Sequence, residues 1–295
     1  MPQSHSIAAS RLQALAAAFL FSTGGAAIKA ASFSGWQIAC FRSVIAGAAL
    51  FLLVPAARCR WSHRTLLVGL AYTGTLITFV MANKLTTAAN AIFLQDTAPL
   101  YLLLIGPFLL HERVRRPEIL LMVVIAIGMS LFFVGVQAPQ RTAPDPFSGN
   151  LLGVFSSVWW ALTIAGLRWI ETASGGRDSG MAAVVAGNLI VSIVCLPKAF
   201  PLGAPVLSDW LAILYLGLIQ VGLAYVFLTR AMRRIPALEA SLLLLAEPAL
   251  SPVWAWFVHG ERPGRLAILG GVLILSATVG RSVMSSRKKL NVDRN

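Results

Sequence analysis

The sequence predicts an all-α membrane protein in which ten transmembrane helices form two five-helix, inverted-topology repeats around a central cavity. Three observations lead there. Apolar stretches recur along the whole chain, and runs of about 18 residues or more cross a bilayer as helices. Charged residues make up only 12% of the 295 against 57% hydrophobic, and mean hydropathy is +0.77. An average soluble domain carries about a quarter charged residues, so these charges cannot cover a water-exposed surface. Finally, one 44-residue segment returns 149 residues further on.

Spans of about 20 residues fall at 11–31, 36–55, 65–83, 87–110, 117–136, 148–171, 181–198, 209–230, 236–258 and 264–284. Turn-forming and charged residues punctuate them in short breaks: ASFSGW, RCRWSHR, HERVRRPE, SGGRDSG and HGERPGR. Only QAPQRTAPDPFSGN (137–150), rich in Pro, Gly and polar residues, reads as a linker, and it lies almost at mid-chain. The chain thus divides into a first five-helix repeat (1–136), a linker (137–147), a second repeat (148–285) and a basic cytoplasmic tail (286–295). The opening MPQSHSIAASRLQ lacks a signal-peptide n-region and a clear cleavage site, so the first apolar segment is expected to stay as span one.

The net charge of +13 invites a nucleic-acid reading, but the placement of the basic residues opposes it. With ten spans, both termini share a side. That side holds Arg11, Arg58, Arg60, Arg64, Arg113, Arg115, Arg116, Arg168, Arg177, Arg230, Arg233, Arg234, Arg281, Arg287, Lys288, Lys289 and Arg294, 17 in all. The other side holds the six residues Lys29, Lys84, Arg141, Lys198, Arg262 and Arg265, and Arg42 lies inside span two. Cytoplasmic loops carry the excess of Lys and Arg, so both termini are expected in the cytoplasm. The basicity is a topology signal, and the expected partners are a small-molecule substrate and the lipid bilayer, with no nucleic acid. Cys40, Cys59 and Cys195 are too few and too apolar in setting for a disulfide framework or a metal site.

Sliding the chain by 149 residues lays 82–125 over 231–274 without a gap, with 13 of 44 positions identical. The informative matches are Pro99 with Pro248, Glu112 with Glu261, Arg113 with Arg262 and Arg116 with Arg265. A period of 149 contains five spans. Five is odd, so the second copy enters the membrane upside down, a recurrent plan in secondary transporters whose substrate site lies where the copies meet.

On these residues the chain resembles the drug/metabolite transporter superfamily, specifically its EamA-type members. The resemblance is carried by Ala246-Glu247-Pro248 in span nine, Gly260-Glu261-Arg262 after it and Gly270-Gly271 opening span ten. The first half has the weaker counterparts Ala98-Pro99 and His111-Glu112-Arg113, with Ala98 standing where the second half has Glu247. The resemblance implies export of amino acids or related small metabolites from a bacterial inner membrane; relatives also carry nucleotide sugars or drugs. Its nearest branch in style is the bacterial aromatic amino-acid exporters.

The spans supply candidates for a path. In span one Ser22-Thr23-Gly24-Gly25 is either a close-packing site, which small residues permit, or a flexible gating segment. In span two Arg42 lies two turns deep, where a long side chain can snorkel outward; anion binding is the rival role. In span three Tyr72, Thr75, Phe79 and Asn83 recur at i, i+3, i+7 and i+11 on one face. Span four aligns Asn90, Thr97 and Tyr101, with Gln95 and Asp96 one turn before Pro99. Span six puts Ser156, Trp160 and Thr163 on one face, with Trp159 adjacent, and span eight offers Gln220. Interhelical hydrogen bonding is the alternative use of such polar rows. Trp36, Trp61, Trp169 and Trp210 sit at span ends as interface anchors. Trp159, Trp160, Trp254 and Trp256 lie deeper, facing lipid, packing in the core or walling a cavity for apolar or aromatic solutes.

In span nine Glu247, Ser251 and Trp254 share a face, and Pro248 and Pro252 each remove a helical hydrogen bond. A carboxylate at that depth costs about 2.5–3.5 kcal/mol on insertion scales, so Glu247 is not expected to face lipid. It is either a structural carboxylate bonded to a neighbouring helix or a cavity group that orients solute or carries a proton. Asp96 poses the same alternative, and Pro99, Pro248 and Pro252 with Gly24 and Gly25 are the gating or kink candidates.

No G-x-x-x-x-G-K-[ST], H-E-x-x-H or G-x-S-x-G occurs, and the four histidines are scattered, so no catalytic residue, metal or cofactor is expected. The function predicted is a secondary transporter moving small organic solutes outward by alternating access. A passive channel or facilitator is the alternative, and an intramembrane enzyme acting on lipid-linked substrates a remoter one. The topology is open to direct test. In a variant freed of native cysteines, a cysteine placed at Ser174 should label from inside and one at Ser148 from outside. Labelling of both from outside would end the inverted-repeat arrangement.

Overall fold

The computed structural model describes residues 2–58, 61–109, 116–173, 179–232, 243–244 and 246–292. Cys59, Arg60, His111, Glu112, Arg113, Arg115, Ser174, Arg177, Arg233, Arg234 and Arg294 lie outside the described residues. Among them every regular element is helical, and one isolated bridge joins Gln140 and Ala143. The helices are α1 (Pro2–Ser22), α2 (Gly24–Ala30), α3 (Gly35–Leu53), α4 (His63–Leu85), α5 (Ala88–Gln95), α6 (Ala98–Leu109) and α7 (Arg116–Val134). After the linker come α8 (Pro146–Ala173), α9 (Gly180–Ala199) and α10 (Leu207–Leu214). A π-helical stretch (Tyr215–Leu223) then leads into α11 (Ala224–Met232), followed by α12 (Ala246–His259) and α13 (Arg265–Val292).

Polar residues at the helix starts supply the caps that apolar interiors cannot. Ser34 with Gln37 and Ser62 with Thr65 form capping boxes on α3 and α4, each satisfying two otherwise orphaned donors. Thr87 caps α5 by accepting from the Asn90 amide at 3.2 Å. Pro146 opens α8 at the first helical position, where its missing N–H costs nothing.

Among the described residues, six helical stretches have the length and apolarity to cross a membrane: Ile7–Ala30, Gly35–Leu53, His63–Leu85, Pro146–Leu167, Gly180–Ala199 and Leu207–Leu228. Ile119–Val134 and Arg265–Ala277 are shorter apolar helices. Large apolar side chains such as Leu53, Val134 and Phe257 point outward with more than three quarters of their surface exposed. In water such a surface would drive aggregation, whereas in lipid it is the expected exterior. The protein is a multi-pass α-helical membrane protein.

Helix α4 packs on α8 and α9, α3 on α9 and the π-helical stretch, α1 on α11 and α12, α5 on α8 and α12, and α7 on α13. Lipid gives helices no hydrophobic reason to associate, so close approach of small residues matters. A methyl group on Gly128 of α7 would come within 2.9 Å of the Gly270 carbonyl of α13, and one on Gly271 within 2.8 Å of the Phe93 ring. Gly270-Gly271 is therefore a packing site. Gly187 of α9 is held the same way: a Cβ there would come within 2.8 Å of the Gly69 carbonyl of α4.

Two of the helical stretches are interrupted. That of α5 and α6 breaks at Asp96 and Thr97, because Pro99 has no N–H to return to the Gln95 carbonyl. Thr97 repairs the break: its hydroxyl donates to the Leu94 carbonyl at 2.6 Å, and its own carbonyl accepts from Leu100 N–H at 2.9 Å. The other, of α10 and α11, widens into the π-helical stretch, whose wider turns shift the backbone bonds from i→i+4 to i→i+5.

At one end of the bundle the structure buries an ion pair to which the sequence assigned no partner. Lys29 Nζ lies 2.9 Å from Glu261 Oε1, with side chains only 3% and 2% exposed. Glu261 Oε2 also accepts the Ala88 amide at 2.9 Å, so it caps α5. Lys29 donates in addition to the carbonyls of Thr86 (2.7 Å) and Thr142. Beside it Lys84 donates to the Ala31 carbonyl at 2.7 Å, and Asp209 accepts from Ser32 N–H and Oγ–H, both at 2.7 Å. Removing one partner of a buried pair typically costs about 3–5 kcal/mol, while replacing both by apolar groups is often neutral. Glu261→Gln should therefore lower the thermal midpoint in detergent sharply, and the double change Lys29→Met with Glu261→Leu should recover part of the loss. An unchanged midpoint for the single variant would show that the pair contributes nothing.

Candidate functional site

A cavity opens at mid-depth, with about 630 Å³ of empty space including the part continuous with the outside. Seven sequence candidates line it: Thr75 and Phe79 from α4, Gln95 and Asp96 at the break between α5 and α6, Trp160 from α8, Gln220 from the π-helical stretch and Glu247 from α12. They share the cavity because each interruption lies beside it. The break before Pro99 presents Gln95 and Asp96, and the π-helical stretch presents Gln220. Gln95 is steadied by donating to Ser156 Oγ at 3.0 Å. Gln220 Nε2 reaches the Phe21 carbonyl at 3.5 Å, while its Oε1 has no hydrogen-bond partner among the described residues. Asp96 Oδ2 is likewise unpartnered.

The remaining candidates do not line this cavity. Ser22 accepts from Trp254 Nε1 at 2.9 Å, and Thr23 bonds the Tyr215 hydroxyl at 2.7 Å. Tyr72 is buried edge-on against Tyr225, with centroids 5.7 Å apart. Asn83 donates back to the Phe79 carbonyl at 2.9 Å, and Tyr101 points at Met129 Sδ, 3.9 Å away. Thr163 bonds Thr75 at 3.2 Å, and Ser251 is buried beside Gly25. Asn90 and Thr97 are likewise used between helices, on Asn150 (3.1 Å) and Ser157 (3.0 Å). Much of the polar row along α4, α5 and α8 is thus interhelical glue. Gly24 and Gly25 are tight contacts, since a Cβ there would meet Gln220 Nε2 at 2.7 Å or Ala88 Cβ at 2.8 Å. Pro248 is the third residue of α12 and Pro252 lies inside it. Of the deep tryptophans, Trp160 walls the cavity, whereas Trp159 and Trp256 are exposed on the outer surface. Of the span-end tryptophans, Trp210 is packed against Phe33 and Phe41.

Arg42 corrects the sequence reading. It does not snorkel: it is 1% exposed and lines the cavity. As the eighth residue of α3 it sits about 10 Å along the axis from the helix start, at 1.5 Å per residue. That depth was the available signal. Phe21, Leu76, Val221, Tyr225, Leu228 and Leu244 complete the wall and carried no such signal, being apolar or aromatic residues in an apolar run. The lining thus combines one cation, two carboxyl groups, two amides, a hydroxyl and an aromatic-aliphatic wall.

The chain matches the model of the EamA-like transporter family over residues 10–134 and again over 147–282. The chain belongs to the EamA-like transporter family. Among similar family proteins is a pseudopaline exporter, CntI, of Pseudomonas aeruginosa strain UCBPP-PA14, 26% identical over 92% of this chain and 95% of that protein. The threonine/homoserine exporter RhtA of Salmonella typhimurium strain SL1344 is 26% identical over 76% of this chain and 72% of its own. The aromatic amino acid exporter YddG of Ancylobacter novellus is 26% identical over 68% of this chain and 69% of its own. A solved crystal structure superposes with a TM-score of 0.62 over 95% of this chain and 98% of that one, at 22% identity, a likeness of fold. This EamA-like chain is a membrane transporter of small molecules and not an enzyme.

Glu247 is the cavity group whose two roles diverge most clearly. Glu247→Gln keeps size and hydrogen bonding and removes only the ionisable proton. If Glu247 serves transport, the variant should insert and fold normally and lose most of its transport rate. Lost substrate binding assigns it to orienting the solute; retained binding with lost pH dependence assigns it to carrying a proton. A variant that transports like the parent but melts at a different temperature would make it a structural carboxylate.

Proposed function

We propose that the chain exports small organic solutes, amino acids foremost, across a bacterial inner membrane by alternating access of two inverted five-helix repeats. The carrying observation is the cavity, where Arg42, Asp96, Glu247, Gln95 and Gln220 meet an aromatic and aliphatic wall at mid-depth. A zwitterion with an apolar side chain has partners there for each of its parts. Three exporters among the relatives, for threonine and homoserine, aromatic amino acids and pseudopaline, support that direction and that cargo class.

The helix pairings support the inverted repeat. The ten spans are α1 with α2, α3, α4, α5 with α6, α7, α8, α9, α10 through α11, α12 and α13. Under exchange of each span with the one five places on, the α4–α8 pairing becomes the α11–α1 pairing. Likewise α5–α8 becomes α12–α1, and α4–α9 becomes the pairing of the π-helical stretch with α3. The α3–α9 and α7–α13 pairs map onto themselves. Two repeats exchanged about an axis in the membrane plane produce this pattern, with the site at their interface. The two family matches, 10–134 and 147–282, divide the chain at the same linker. On this reading the domains are 1–136 and 148–285, joined by 137–147, and both termini are cytoplasmic.

Purified protein in liposomes should move at least one proteinogenic amino acid faster than empty vesicles, with a rate that saturates. A rate that rises linearly over the whole concentration range would point to a passive channel instead.

A further inference from the structure

Arg42 is one of the largest fully buried side chains in the protein, yet its guanidinium is nearly idle. Arginine carries five N–H donors and keeps its charge at physiological pH. Among the described residues only one of its hydrogen bonds is present, from Nη2 to the Leu76 carbonyl, and at 3.4 Å it is long. Nε is buried without a partner. No carboxylate of the described residues forms an ion pair with it, and none of its electrostatic neighbours, Tyr72, Tyr225 and Cys195, is a carboxylate. A purely structural arginine would spend its donors on carbonyls, and a packing position would be filled at less cost by leucine or methionine. The group borders the transport cavity. Something that enters the cavity must supply the missing anion.

The other polar groups of the cavity narrow the anion's identity. Asp96 and Glu247 reach the same space from other helices. Carboxyl groups beside the cation disfavour a multiply charged anion such as phosphate and favour a singly charged one that brings its own positive group. A carboxylate also fits the planar guanidinium fork, which offers it parallel N–H donors. Building on the amino-acid reading above, we infer that Arg42 anchors the carboxylate of the transported solute through its guanidinium. Asp96 and Glu247 receive the solute's ammonium group. The cargo class is then small molecules bearing both a carboxylate and an ammonium on an apolar body, and amides, esters and plain amines of the same shape are rejected.

The test uses the full-length protein in liposomes loaded for counterflow, with L-threonine and L-phenylalanine as probes and their amides and inorganic phosphate as competitors. The native protein should exchange at least one of the two amino acids. Its amide and phosphate should each compete at least tenfold more weakly than the acid. Arg42→Gln should raise KM for the acid tenfold or more and shrink the preference for acid over amide, and Arg42→Lys, which keeps the charge but loses the fork, should fall between. Exchange of neither amino acid would sink the transport reading and the anchor with it. Exchange with amide or phosphate competing as well as the acid would sink the anchor alone, as would an unchanged KM in a folded Arg42→Gln. Should Arg42→Gln fail to fold, the competition data on the native protein decide the matter unaided.

Discussion

Hydrocarbon offers no hydrogen-bond partner, so every polar group this chain carries into the membrane must be answered from within the protein or from a wet cavity. Most of the interior follows from that constraint. Asn90 is answered by Asn150, Thr97 by Ser157, Gln95 by Ser156 and Thr75 by Thr163, and each bond ties α4 or α5–α6 to α8. Where backbone is interrupted, a side chain repairs it, as Thr97 does before Pro99. Three of the buried polar atoms left unanswered, on Arg42, Asp96 and Gln220, belong to residues that border one cavity.

The same constraint explains the ion pair at the bundle end. Lys29 and Glu261 are buried as deeply as core leucines, and such a pair is tolerable only when its remaining capacity is also satisfied. Glu261 spends its second oxygen on the first amide of α5, and Lys29 spends its other protons on Thr86 and Thr142. One cluster thereby joins the end of α2, the start of α5, the segment between α7 and α8 and the segment after α12. It also fixes where α5 begins, and so the depth at which α5 ends in Gln95 and Asp96. The position of two cavity groups therefore depends on a contact some distance from the cavity.

A transporter of the EamA-like family needs a site that holds its cargo without trapping it. On the proposed reading the cavity is that site, and its charged groups stay apart: no ion pair joins Arg42 to Asp96 or Glu247 among the described residues. Charges left apart remain available to a solute, whereas a salt bridge between them would first have to be broken. The aromatic and aliphatic wall, with Phe21, Phe79, Trp160 and Tyr225, lines the remaining volume.

Much of this architecture was legible in the sequence. Apolar run length announced a multi-pass helical membrane protein, because crossing a bilayer as helix requires it. The breaks ASFSGW and RCRWSHR marked helix ends, and Pro99 marked a kink, because these effects are local to the backbone. Helical period placed Thr75, Phe79, Gln95, Asp96, Trp160 and Glu247 on faces that meet at one cavity. The same period gave equal standing to Tyr72, Asn83, Tyr101, Thr163 and Ser251, which the structure uses in packing and interhelical bonds. Period fixes which residues share a face and says nothing about what that face meets. Arg42 could be seen to lie deep, but whether it snorkels or stays inside depends on the helices packed around α3. The partnership of Lys29 with Glu261 spans 232 residues, and the π-helical stretch around Gln220 has no local signature. The sequence by itself determined the membrane, the helices and their breaks, since these obey chain-local rules. The identity of each polar residue's partner, and so which were left for a solute, was decided only when the helices came together.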